Sequence, residues 1–211
     1  MVNSMDKNLT VPTESSFTVD QEIYTAVRGY VVAAQNQIYS SVNTAMVHAY
    51  WNIGKQIYEV CGENDRAAYG KQLLQYLSQK LTEEFGKGFD ARNLRNMRQF
   101  YLTFPNRNAL RSDLSWTHYR SLMKVKDEAA RNFYLEETVK SGWSSRQLER
   151  QINSFYYQRI LASKDKKSVS AEIDTLEPKP EYEKIIKDPY VLEFLDLPAN
   201  DIFMNQNWNR R

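Results

Sequence analysis

From residue 20 onward the apolar positions recur three and four apart instead of alternating. Ile23, Val27, Tyr30, Val31, Ala34, Ile38, Val42, Ala45, Met46 and Ala49 mark one stripe, which Trp51, Ile53 and Ile57 carry on to the turn-forming CGEND at 61–65. That period belongs to a helix with one face turned inward. The run suits one helix of many turns or two joined near Ser40 and Ser41. Ahead of it, residues 1–18 are polar without sustained period and read as a disordered tail.

The later helices are marked by their ends. Leu73, Leu74, Leu77, Leu81 and Phe85 predict a helix over Tyr69 to Phe85, with Gly86 placed to close it as a left-handed cap. Asp90 can cap the next helix from Ala91, offering its carboxylate to free backbone N–H groups, and Pro105 cannot continue it. Ser115 caps WTHYRSLMKV, and Asp127 caps EAARNFYLEETVKS, which Gly142 closes. Ser144 and Gln147 form an S-x-x-Q capping box for a last helix running to about Leu161. The expected fold is mainly α: a helical bundle over 19–163 that contains a helix-turn-helix at about 69–105, followed by a linker and a short C-terminal segment. Within 164–211, KDKKSVSAEIDTLEPKPEYEK is charged, interrupted by prolines and reads as the linker. DPYVLEFLDLP has the look of a docking segment, and ANDIFMNQNWNRR of a frayed end.

Composition narrows the classes. With 42% hydrophobic and 26% charged residues, the chain can bury a core without covalent staples. A lone cysteine, Cys61, excludes an internal disulfide framework and any multi-cysteine metal site. The apolar stretches are interrupted by charge before they reach spanning length, and the polar N-terminus lacks a signal-peptide pattern, so a cytoplasmic protein without a membrane partner is expected. The net charge of +2 hides a segregation: residues 66–111 hold 9 Lys/Arg against 3 Asp/Glu, whereas 1–65 hold 3 against 7. The basic block suits a polyanionic partner.

That block contains the helix FDARNLRNMRQFYLTFP. At about 100° per residue, Arg92, Arg95, Asn96, Gln99 and Thr103 fall on one side, while Leu94, Met97, Tyr101 and Phe104 fall on the other. The polar stripe has no acid, and Arg, Asn and Gln can each make paired hydrogen bonds to base edges in the major groove, a good pair being worth ~1–3 kcal/mol of discrimination. The preceding helix, the glycine-containing turn and this helix have helix-turn-helix form, with the second helix offered to duplex DNA. Arg92, Arg95, Asn96 and Gln99 are the expected base readers; Lys80, Lys87, Arg98 and Arg107 are the expected phosphate anchors. The rival reading keeps the same fold as a protein-interaction or dimerisation module of a nuclease or toxin-type complex, its polar stripe only solvated. The Tyr- and Ala-rich, net acidic N-terminal helices suggest a bundle or a pairing with a second copy of the chain.

No catalytic centre is expected. Asp174 with Glu177, Pro178 and Lys179 spells a superficial nuclease pattern, but the acids stand only three positions apart, a proline interrupts the second element and no strand surrounds either. His48 and His118 lack a Cys, Asp or Glu at i+3 or i+4 that would make a metal pair, and nothing beside Cys61 offers it a base. No cofactor or metal is expected, and the chain leans away from being an enzyme.

Four blocks carry a resemblance: SVNTAMVHAYWNIGKQI (41–57), LSQKLTEEFGKGFDARNLRNMRQFYLTFP (77–105), LSWTHYRSLMKVKDEAARNFYLEETVKSGWSSRQLERQI (114–152) and DPYVLEFLDLP (188–198). Together they resemble the N-terminal domain of the YhcG-type bacterial family, whose full-length members append a PD-(D/E)XK nuclease-like domain. The resemblance implies a helical, DNA-binding N-terminal module. It also implies a catalytic half that is missing here or supplied by a separate nuclease subunit.

Overall fold

The N-terminal stripe becomes one uninterrupted helix, α1 (Glu14–Cys61), so the two-helix alternative near Ser40 is not the one adopted. This computed structural model describes residues 14–61, 67–163 and 189–195; the linker and most of the C-terminal end lie outside them. Helix α1 starts inside the stretch read as a tail, since residues 14–18 are helical and the last helix-breaking residue before them is Pro12. The chain divides into two units, Met1–Tyr39 and Ser40–Arg211. In the first, the described side chains from residue 20 are largely exposed.

The second unit holds the core. After α1 come α2 (Ala67–Phe85), α3 (Ala91–Thr103), α4 (Trp116–Leu122), α5 (Glu128–Ser141), α6 (Ser145–Asn153), α7 (Tyr156–Ala162) and α8 (Pro189–Phe194), and the described residues contain no strand. The capping signals act as the sequence indicates. The Asp90 carboxylate accepts from the Asn93 N–H at 2.7 Å, and that of Asp127 accepts from Ala129 N–H at 2.9 Å. Gly142 closes α5 at φ 64°, and the Ser144–Gln147 box is made in both directions. Ser115 forms a box of less usual kind, in which His118 at the third helical position accepts the Ser115 N–H through Nδ1 at 3.1 Å.

Two elements depart from expectation. Gly86 has positive φ, 85°, but its ψ of −167° is extended instead of left-handed helical, a conformation that glycine reaches without a Cβ penalty. The helix expected to run from Ser145 to Leu161 breaks at Ser154, and Phe155 sits at φ 54° before α7 begins. Tyr134 holds this break together. Its hydroxyl donates to the Gln151 carbonyl at 3.3 Å and accepts the Tyr157 N–H at 3.1 Å, serving the end of α6 and the start of α7 with one buried oxygen. Burial pushes the Tyr134 phenol up.

An aromatic cluster unites α1, α3 and α4. Tyr50 meets Trp116 edge-on at 5.0 Å between ring centroids, Trp116 meets Phe100 at 5.3 Å, and Phe100 meets Tyr119 at 4.8 Å. All four side chains are fully buried. The docking segment contributes α8: Val191 is buried, Phe194 stands 6.0 Å from Tyr50, and the Arg120 guanidinium lies 5.1 Å above the Tyr190 ring. Helix α8 thereby packs on the 3-10 turn Lys87–Phe89 that leads into α3.

Candidate nucleic-acid interface

Helix α3 is fixed at both ends and along its inner face. At its start Asn93, buried, donates from Nδ2 to the Gly88 carbonyl at 2.6 Å, tying the first turn to the 3-10 turn before it. At its end the Trp51 indole N–H donates to the Phe104 carbonyl at 2.7 Å, which satisfies one of the carbonyls a helix terminus leaves open. Between these ends Leu94, Met97 and Phe100 are buried completely. Gly54 lets α1 approach closely: a Cβ there would lie 2.6 Å from the Met97 carbonyl carbon and closer still to its oxygen. The indole and the missing Cβ are both on α1 one turn apart, in the YWNIG stretch, and together they set where α3 lies.

With that face consumed, the opposite one is outward. Arg92, Arg95 and Gln99 are exposed and Asn96 is half-buried. Among the described residues, neither Arg92 nor Arg95 has a hydrogen bond or ion pair, so both guanidinium groups retain their donors for a ligand. Gln99 donates from Nε2 to Thr103 Oγ1 at 3.2 Å, and the Thr103 hydroxyl donates back to the Gln99 carbonyl. The stripe is therefore brought together as read, with its two arginines open and its glutamine held by an exposed, exchangeable contact.

The expected phosphate anchors are less uniform. Lys80 is exposed but pairs with Glu83 at 3.5 Å on the same helix. A hydrogen bond from Gln79 and then the charge of Lys80 hold the Glu83 carboxyl below its ordinary range. Arg98 is half-buried and already engaged. Arg107 is exposed, and its Nε donates to His48 Nδ1 at 3.2 Å, which spends one donor and orients the rest. Burial first, then the nearby Arg107 charge, lowers the His48 pKa, which favours its acceptor role toward Arg107. The Lys87 side chain lies outside the described residues.

His118 and Tyr119 are structural. His118 Nε2 lies 2.9 Å from the Trp143 carbonyl, bridging α4 to the end of α5, while the Tyr119 hydroxyl accepts the Arg111 N–H at 2.8 Å. Burial pushes the Tyr119 phenol up to about 12. No group of three His, Cys, Asp or Glu among the described residues could hold a metal ion. No helix among the described residues is long and apolar enough to cross a membrane.

The fold and this face define a class: an all-helical module that holds one arginine- and amide-bearing helix open to solvent on an aromatic core. The chain belongs to the DUF1016 N-terminal domain family, whose model matches residues 26–159. It is 35% identical over 210 residues to the protein named "Putative nuclease YhcG" from Escherichia coli (strain K12), in an alignment that covers 84% of this chain. The chain spans 56% of that relative's length. No solved structure matches. The YhcG-type resemblance is thus confirmed.

Proposed function

We propose that the protein is a DNA-binding module, the recognition half of a nuclease system, in which α2, the turn at 86–90 and α3 act as a helix-turn-helix. One observation carries this reading: a helix rigidly tied at both ends presents Arg92 and Arg95 outward with their donors unspent. In this role Arg92, Arg95, Asn96 and Gln99 enter the major groove and read base edges. Lys80, Lys87, Arg98 and Arg107 hold phosphates, with Lys80 released from Glu83 by the stronger field of the backbone. The relative's name, "Putative nuclease YhcG", supports a nucleic acid as the ligand.

The rival, a docking module for a nuclease subunit without DNA contact, leaves the two open arginines without a use. Fluorescence anisotropy on a randomised duplex pool separates the two. Wild-type protein binds the pool at low salt. Arg95→Ala changes the sequences selected from it, with a loss of ~1–3 kcal/mol on the preferred site, whereas Lys87→Ala weakens all sequences alike. Absence of binding to any duplex by a folded protein overturns the proposal.

A further inference from the structure

The first unit has a surface that DNA binding does not use. Along residues 20–39 of α1, Ile23, Tyr24, Val27, Tyr30, Val31 and Ile38 are 52–77% exposed, which is unusual for so many large apolar side chains on one helix. Their spacing is regular. Tyr24, Val27, Val31, Ala34 and Ile38 alternate steps of three and four, which places Tyr24, Val31 and Ile38 at one seam position of a heptad and Val27 and Ala34 at the other. Ile23 and Tyr30 flank that seam on one side.

Charge, or the lack of it, narrows the occupant. From Gly29 to Gly54 there is no Asp, Glu, Lys or Arg, although the described residues up to Ser41 are mostly exposed. A helix that stays in water carries charge on its outer face. A helix lying on a lipid surface carries lysine and arginine there, and this one has only Arg28. A different protein partner would be selected by charges flanking the seam, and Arg28 is the one charge at those positions in residues 20–41. A second copy of the same segment needs none: in parallel register it sets Val31 against Val31 and Ile38 against Ile38, and β-branched residues at that seam position favour two strands. The exposed portions of the six side chains amount to roughly 600 Å² per copy, so a pair buries on the order of 1,200 Å², the lower bound of a stable interface.

We infer that residues 20–41 of α1 form a parallel two-stranded coiled coil with a second copy of this chain. The inference is independent of the DNA reading. Sedimentation equilibrium on the full chain tests it. The wild type sediments at twice 24.8 kDa across the micromolar range, and Val31→Lys with Ile38→Lys sediments at the single-chain mass. Both side chains are exposed in one copy, so the double variant keeps its helical circular dichroism and its thermal transition. In a Cys61→Ser background, Val31→Cys cross-links two copies on oxidation and Glu22→Cys, outside the seam, does not. A single-chain mass for the wild type, a double mass for the lysine variant, or a dimer that fails to cross-link through position 31 overturns the inference.

Discussion

Replacing Gly54 by alanine adds one methyl group in the middle of a helix, where alanine is ordinarily the better residue by ~1 kcal/mol. Here the sign reverses. The new Cβ would lie 2.6 Å from the Met97 carbonyl carbon, and both the carbon and the oxygen beyond it are backbone atoms of α3 that cannot rotate aside. Helices α1 and α3 must separate by about an ångström. That strains the Trp51 hydrogen bond to Phe104 and loosens the packing around Met97. Overpacking of a close-packed interior costs up to ~3 kcal/mol, so the net loss is about 2 kcal/mol, or ~4–8 °C in melting temperature for a chain of this size. Gly29, also in α1, has nothing within 4 Å of its would-be Cβ and is the matched control. Gly29→Ala leaves the transition unchanged or raises it. Differential scanning calorimetry on both variants checks the argument, and a Gly54→Ala protein as stable as Gly29→Ala refutes the close approach of α1 to α3.

Tyr134→Phe removes the oxygen that accepts the Tyr157 N–H, leaving that N–H short of a partner at a cost of ~1–3 kcal/mol while the Gln151 carbonyl keeps the Ser154 hydroxyl, with faster amide exchange expected at 154–160 than at 94–100. Lowering the pH destabilises the protein through His48: its folded pKa lies below 6.5, so the unfolded state binds more protons and stability falls as pH drops through 6.5 towards the folded value. His48→Gln flattens that part of the melting-temperature profile between neutral and mildly acidic pH.

Helix ends were the most legible feature of the sequence because each rests on local chemistry: Asp90, Asp127, Gly142 and the Ser144–Gln147 pair act within one turn of themselves. The polar stripe of α3 was legible for a related reason, since periodicity fixes which residues share a face and the apolar face went inward. The break at Ser154 was not legible. It depends on a tyrosine about twenty residues away reaching between two helix termini, and nothing near Phe155 announces a positive φ. The engagement of Arg107 with His48 was equally hidden, because a contact across 59 positions leaves no trace in spacing. Gly54 carried a signal that periodicity alone does not interpret: a glycine on the inner face of a strong helix marks a close neighbour, but not which one.

The central claim is that α3 meets duplex DNA with its neighbouring cations on the phosphates. The most direct test is the dependence of duplex affinity on salt concentration. Four phosphate contacts predict that log K falls with log salt at a slope of about −3 to −4, and that Arg107→Ala makes the slope shallower by about one. Affinity that does not change with salt, or a slope untouched by Arg107→Ala, contradicts the account.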